Sequence, residues 1–553
     1  MKRRNFLKAL PAAGISSFLV NGFSMRPFAN RKMAKVLSTC DGVEDRVLIL
    51  IQLKGGNDGI NTIIPTPQYD RYAELRPLIK IPDNGPEKFI QLDQTLPSAD
   101  QVGLHPVMNG LKSLYDQGWM KVVQAVGYES INQSHFKGTD LWLSGGDSTP
   151  EKNNINSGWM GRALNAMYPD VLGTPIPDML YPLGIQIGDP YPSLGFHTET
   201  EHRNAINLYG QDPEGFYSLV QTIGGAPILN VPDSEYGVEL EYIMGVEDSV
   251  NQYSQYITQA FNAGSNAITT YPQSGLANQL KTIARLIKGG CKTKIYLCSM
   301  GGFDTHGSQI PPEGTITLGG HADLLRNLSD SVKIFFDDLA GLGIDDQVMA
   351  CTFSEFGRCA QENGSAGTDH GTLAPMLLFG KGTEGGVEGT NVNLDNLTGD
   401  NQLQGMQFDY RQVFTTLLQD WLGANDDALV EAMFEGYNKL PIVNNAYVVD
   451  PDCYVGTPTG IFDTQEIKKS LQVFPNPATV RAEIMFQSGQ SFSANLSVHS
   501  LGGSLVSNRQ VQVLEGPNIY YLNVRALPPG PYFIRLENRA TGRAFVTKLS
   551  ITR

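Results

Sequence analysis

The chain has 553 residues, 41% of them apolar, and a formal net charge of −15. That length allows two to four domains, and no uninterrupted apolar run reaches the roughly 18 residues needed to span a membrane as a helix. The charge is uneven: residues 1–40 carry eight Lys/Arg and no Asp/Glu, residues 473–553 carry eight against three, and the 25 basic and 53 acidic residues between them leave a body at −28, which argues against nucleic acid and anionic surfaces as partners.

The N-terminus carries Arg3-Arg4-x-Phe6-Leu7-Lys8, followed by a weakly apolar segment over 9–23. This resembles a twin-arginine export motif, so residues 1–30 are expected to be a signal peptide, with Ala29 one candidate cleavage position. That route carries folded proteins, often with a cofactor already bound. Disulfides are permitted after export. Spacing alone selects no pairing among Cys40, Cys291, Cys298, Cys351, Cys359 and Cys453, and none forms a CxxC pair.

In the body, a buried strand is expected over 46–53 (RVLILIQL), running into Gly55-Gly56-Asn57-Asp58-Gly59. A helix over 107–117 and a strand over 120–126 follow. Asn132-Gln133-Ser134-His135 then leads into a short helix over 136–143, and further helices are expected over 158–167, 238–263 and 276–288, with a strand over 183–187 between them. The strand over 294–300 ends in Gly301-Gly302-Phe303-Asp304-Thr305-His306-Gly307. Leu324, Leu325, Leu328, Val332 and Phe335 recur at helical spacing within 321–339. The strand over 347–353 ends in Ser354-Glu355-Phe356-Gly357-Arg358, Asp369-His370-Gly371 precedes a strand over 375–379, and a helix over 411–422 closes the series. This alternation predicts an α/β fold with a doubly wound, mostly parallel sheet, whose ligands lie beyond the carboxyl ends of the strands.

The polar residues gather at those ends. Asp304 and His306, two apart, would point the same way in an extended segment, and carboxylate with imidazole is a common divalent-metal pair; alternatively Asp304 caps a turn. Asp58 and Asp369-His370 are either ligands or turn residues. Glu355 can bind metal and Arg358 can hold an anion in a bidentate manner, or the two can pair locally. Ser134 is either a helix cap or a nucleophile at a helix N-terminus. His135 beside it is a metal or substrate ligand, or buried. His105, His197, His202, His321 and His499 have no comparable context.

Together GGNDGINTIIP, the LHP at 104–106, VVQAVGY, QSHFKGTDLW, GWMGR, GGFDTHGSQ, FSEFGR and GTDHGTLAPMLLFG resemble the family called domain of unknown function 1501, over roughly residues 45–440. That family is similar to the alkaline phosphatase and sulfatase superfamily. The resemblance implies an alkaline phosphatase-like α/β domain over 45–450 that hydrolyses phosphate or sulfate esters. By that resemblance Asp58, Asp304, His306, Glu355 and His370 would be metal ligands and Ser134 the nucleophile, and the reading of the strand ends adds Asp369 as a ligand and His135 and Arg358 as catalytic residues. The metal would be zinc, manganese, calcium or magnesium, and the partner a small anionic ester or a sulfated or phosphorylated glycan. The Asp304/His306 spacing is shorter than the superfamily's usual one, and Phe356 stands where it usually has a histidine. The alternative is a binding protein that keeps the scaffold without catalysis.

After a linker over 451–470, residues 471–553 alternate as strands and end in KLSITR. They resemble the sorting tail of type IX secretion substrates, which implies a small all-β sandwich, delivery by export and type IX secretion machinery through the periplasm, and a secreted or cell-surface location. An immunoglobulin-like adhesion module is the other reading of such a segment.

Overall fold

The computed structural model describes Cys40, residues 42–208, 252–455 and 471–552 with short gaps, and two three-residue strands at 18–20 and 23–25. The Arg3-Arg4 motif and the first part of the helix expected over 238–263 lie outside the described residues; a helix runs from 252 to 263. The chain divides into two units, Met1–Gly456 and Thr457–Arg553.

The first unit is built on β1 (Val47–Leu53), whose seven residues are all buried. Such a continuous apolar run suits a strand covered on both faces. Then come α1 (Asn109–Asp116), β2 (Met120–Gly127), α2 (His135–Ser144) and α3 (Trp159–Met167). They are followed by β3 (Gly184–Ile187), β4 (Ala205–Leu208), α4 (Gly275–Lys288), β5 (Ile295–Met300) and α5 (Gly320–Leu342). The unit continues with β6 (Val348–Phe353), β7 (Ala374–Phe379), β8 (Gly386–Glu388), β9 (Phe408–Asp409) and α6 (Tyr410–Thr416).

Local chemistry sets several of these boundaries. The Ser274 hydroxyl accepts from the Ala277 N–H and opens α4, while Arg285 and Lys288 sit in its last turn. Asp409 and Gln412 form a capping box at the start of α6, and α5 stops at Gly343 in the left-handed region. The helix expected to 422 is regular only to Thr416 and continues as a π-helical stretch, Leu417–Trp421.

The strands lie in the order β8-β2-β7-β6-β1-β5-β3-β4, with β9 beside β2. Every pairing is parallel except those of β7 with β6 and with β2. Alternate residues of β1 enter two cores. Val47, Ile49, Ile51 and Leu53 pack with α1, α4 and α5, whereas Leu48 and Leu50 pack with α3 and α6. The sheet is therefore doubly wound, with a helical layer on each face.

Cys40 and Cys453 form a disulfide, and Cys291, Cys298, Cys351 and Cys359 are free and buried. The first unit keeps the chain through Val455, whose N–H donates to the Gly423 carbonyl, so the start of the expected linker belongs to the body. In the second unit, β10 (Leu471–Phe474), β11 (Arg481–Ser488), β12 (Phe492–Ser500), β13 (Leu505–Val513), β14 (Gly516–Asn523), β15 (Gly530–Asn538) and β16 (Ala544–Ile551) form two antiparallel sheets, β10-β11-β14 and β13-β12-β15-β16. Their inner faces share one apolar core containing Ile484, Leu496, Ile534 and Leu549. Among the described residues, no helix is long and apolar enough to cross a membrane.

Candidate metal centre

Parallel strands bring their carboxyl ends to one edge of the sheet. There β1 delivers Gly55-Gly56, β5 delivers Phe303 to His306, and β6 delivers Ser354 to Arg358. β2 ends at Gly127 on the same edge, and a short loop from it reaches His135, the first residue of α2. β7 runs the other way, so its start lies at this edge, and Asp369-His370 arrive there by leading into a strand. The loops interleave closely. Gly55 has φ 122°, and a Cβ on it would lie 2.2 Å from the Asp304 backbone nitrogen; one on Gly56 (φ 79°) would lie 2.5 Å from the Phe356 ring. Only glycine fits either place.

The centre of the cluster is a single oxygen. Asp304 Oδ1 lies 3.4 Å from His135 Nε2, 3.3 Å from His306 Nε2 and 3.4 Å from His370 Nε2. Each imidazole is held from behind through Nδ1: His135 by Glu355 Oε1 at 2.8 Å, His306 by Asp369 Oδ1 at 3.0 Å, and His370 by the Gln133 carbonyl at 2.9 Å. A carbonyl, or a carboxylate once ionised, only accepts, so these partners place the proton of each neutral ring on Nδ1 and leave the Nε2 lone pair facing Asp304.

Arg358, with a fully buried side chain, fixes Asp304 at 2.7 Å and also donates to the carbonyls of Gly55, Gly56, Phe303 and Thr368. It ties three of the loops together. Burial pushes the Asp304 carboxyl up, but the Arg358 hydrogen bond and charge, with His135 and His306, bring it below the usual carboxylate range. Burial, then the charges of Arg358 and His135, lower His370 despite its contact with Asp304. Asp369 is lowered by hydrogen bonds from Asn363 and His306. An ionised Asp304 and a neutral His370 are the forms that bind metal.

The donor set fits a divalent cation. Metal–ligand bonds of about 2.0–2.1 Å in a tetrahedron put neighbouring ligand atoms about 3.3–3.4 Å apart, and Asp304 Oδ1 lies at that separation from the Nε2 atoms of His135 and His370. Ligand atoms of His135, Asp304 and His370 all lie within 4.8 Å of one another, and His135 Nε2 is buried without a hydrogen-bonding partner. Acceptors behind metal-binding imidazoles are the usual support of such centres.

The expected residues thus divide. Asp304 and His370 present ligand atoms close to that of His135, which the sequence offered as a metal or substrate ligand and as a catalytic residue, whereas His306 approaches Asp304 but stands outside that group of three. Glu355 and Asp369 stand behind, holding His135 and His306 in place. Asp58 is not in the cluster: its fully buried carboxylate is taken by Arg76 at 2.6 Å and Gln309 at 2.6 Å, because Gly59–Thr62 turns as a helix directly after it. Arg358 is not available to hold a substrate anion, since its guanidinium is committed to the protein. Ser134 is exposed at the N-cap of α2, without a capping hydrogen bond from its side chain. The Gln133 carbonyl, which only the tertiary structure brings to His370, had no signal in the sequence.

Residues 258–434 match the family described as protein of unknown function (DUF1501), and residues 472–552 match the secretion system C-terminal sorting domain. The chain carries a DUF1501 segment and a type IX sorting tail. The DUF1501 segment contributes Asp304, His306 and His370, whereas His135 lies upstream of it. The tail assigns the protein to secretion and the cell surface.

Among solved structures, the chain is similar to an alkaline phosphatase superfamily protein from Vibrio parahaemolyticus, at 10% identity over 85% of this chain and 82% of that one, with a TM-score of 0.30. It is also similar to the PsFucS1 sulfatase from Pseudoalteromonas sp., at 11% identity over 90% and 89%, with a TM-score of 0.27. PorZ, a surface component of the type IX secretion system of Porphyromonas gingivalis, matches at 15% identity over 16% of this chain, with a TM-score of 0.13, and the chain spans 12% of PorZ. No curated protein matches this sequence.

Proposed function

We propose that the protein is an exported metal-dependent hydrolase of phosphate or sulfate esters with a single metal site. The observation that supports this reading is the convergence of three imidazole Nε2 atoms on Asp304 Oδ1, each ring held by an acceptor at Nδ1. His135, His370 and Asp304 would hold the cation, with His306 beside Asp304, and an imidazole-rich set suits zinc better than calcium or magnesium. When bound, the cation supplies Lewis-acid polarisation of the ester and activation of a nucleophile.

The chain's own groups do the positioning. Glu355 and Asp369 orient their histidines, and Arg358 holds Asp304 rather than substrate. The exposed Ser134 hydroxyl, at the N-terminus of α2 where developing negative charge is favoured, is the protein nucleophile, with solvent as its competitor. The Phe356 ring, 1% exposed, packs at 5.0 Å from the His135 ring and 4.7 Å from the His370 ring. It walls off the inner side and leaves a one-metal centre. The commitment of Arg358 to backbone carbonyls favours a second reading, a surface protein that binds an anionic ester without turning it over.

Elemental analysis and thermal melts with and without chelator test the metal. The expected result is close to one equivalent per chain and a lower melting temperature in chelator, both lost in Asp304→Ala and His135→Ala. Hydrolysis of p-nitrophenyl phosphate and p-nitrophenyl sulfate then separates the two readings. Ser134→Ala is expected to keep the metal and lose turnover. A wild-type protein without metal that melts identically in chelator overturns both readings, and a metal-loaded protein inert to both esters leaves the binding reading.

A further inference from the structure

The segments that carry the metal-centre residues alternate in exposure. Asp304 and His306 are exposed, and Thr305 between them is buried; Asp369 is exposed, and Thr368 before it is buried. The two threonines point inward and meet the same side chain. Their hydroxyls donate to Gln309 Oε1, at 3.2 Å from Thr305 and 3.3 Å from Thr368. Gln309, itself buried, donates through Nε2 to Asp58 Oδ2 at 2.6 Å. The backbones join as well: the Thr368 N–H donates to the Thr305 carbonyl and the Gln309 N–H to the Ala366 carbonyl, each at 3.0 Å.

Asp58 sets the direction of this chain of hydrogen bonds. Its buried carboxylate is held by Arg76 Nη1 at 2.6 Å, and the other guanidinium nitrogens of Arg76 donate to the carbonyls of Ala360 and Cys359 at 2.8 Å. An ionised carboxylate only accepts, so the Gln309 amide must turn its nitrogen toward Asp58. The amide oxygen then faces the threonines, and both hydroxyls are donors. Hydrogen bonds linked in this way polarise and strengthen one another. The loops after β1, β5 and β6 and the segment leading into β7 are thereby tied together on the side away from the ligand atoms.

We infer that Asp58 and Gln309 are positioning residues of the metal centre, acting through Thr305 and Thr368 to fix the segments that carry Asp304 and His370. The inference rests on the proposed metal site. Asp304 Oδ1 and His370 Nε2 come within 3.4 Å from positions 66 residues apart, so their spacing is only as exact as the joint between the two segments. Arg358 makes that joint through Asp304 and the Thr368 carbonyl, and Gln309 makes it through the two inward hydroxyls.

Gln309→Leu would strip partners from two hydroxyls and a buried carboxylate and threatens the fold, so the test removes the hydroxyls instead. Thr305→Val and Thr368→Val, singly and together, keep the side-chain shape, whereas Thr305→Ser and Thr368→Ser keep the hydroxyl. Cobalt(II) chloride titrated into the metal-free full chain gives the visible absorption of the bound ion, zinc competition against a chelator gives the affinity, and melts in chelator report the fold. The double valine variant is expected to bind about tenfold or more weakly, with altered cobalt bands; each single valine variant loses part of that affinity, and the serine variants match the wild type. Should the double variant not fold, the single variants carry the same comparison. A merely structural contact would lower the melting temperature in chelator and leave the cobalt spectrum and the affinity as they are. That result, or serine variants as weak as the valine ones, overturns the inference while cobalt binding by the wild type leaves the metal reading standing. A wild type that takes up no cobalt overturns the metal reading and this inference with it.

Discussion

Glu355 shows how much a residue's role depends on its neighbours. Its Oε1 accepts from His135 Nδ1 at 2.8 Å and from the Gly55 N–H at 2.7 Å, and the residue is 2% exposed. It therefore has no free direction from which to meet a cation, and it acts by aiming His135. Glu355→Gln keeps the shape and removes the charge, so metal affinity is expected to fall about 10–100-fold. Competition against a chelator of known affinity measures this, and an unchanged affinity would contradict the role. Asp58 is the converse case: a carboxylate after a core strand reads as a ligand in sequence, yet Arg76, 18 positions on, and Gln309 take it up. Nothing in the local pattern distinguishes an acid that meets an arginine from one that meets a metal.

At the scale of elements, the antiparallel setting of β7 accounts for the presence of His370 at the site, and the first turn of α2 for that of His135. Beneath the β1 loop lies a buried polar layer. Asn57 Oδ1 is 3.2 Å from His321 Nε2, and the rings of His321 and His105 meet edge to face at 6.1 Å. Burial lowers His321 to about 4 and His105 to about 3, in each case as the largest cause. Because their folded values lie below the unfolded one, the folded state binds fewer protons. Their contribution to stability is complete above about pH 6.5 and is lost as the pH falls toward 4. Asp58 acts in the same direction at lower pH. Burial would raise its carboxyl, but the charges of Arg76 and His321 and the hydrogen bonds from Arg76 and Gln309 outweigh that, so its contribution is lost as acid protonates it. Between pH 7 and 5 the unfolding free energy is expected to drop by about 2 kcal/mol per buried histidine. His321→Gln is expected to flatten that slope in urea titrations. A wild-type stability that does not change over this range would refute the account.

For the whole molecule, the two units make a truncation experiment informative. We expect the tail to be dispensable to the body's fold and required for delivery. The cut belongs after Gly456, because a cut after Asp450 removes Cys453 and with it the disulfide to Cys40, which closes a loop of 413 residues. Ending the chain at Gly456 is expected to leave the body's melting temperature unchanged and to abolish appearance at the cell surface. Ending it at Asp450 is expected to cost an additional 2–5 kcal/mol or so. Calorimetry on both truncations, with surface labelling of cells, checks this, and normal surface delivery of the shorter chains would remove the tail's assigned role.

Periodicity and strand ends were legible in the sequence because they are local. The buried run of β1, the helical repeat of α5 and the polar motifs after β5 and β6 each depend on a few adjacent residues, and they were enough to indicate a doubly wound sheet with chemistry at one edge. The sequence also placed Asp304 and His306 together, since two residues on one short loop cannot lie far apart. Tertiary structure decided which acids face a histidine and which an arginine, that Arg358 holds the loops rather than a ligand, that His135 joins His370, and which two of six cysteines meet. Those outcomes depend on pairs tens to hundreds of positions apart, whose meeting is set by strand order and by the need of every buried charge for a partner, and no local pattern carries that information.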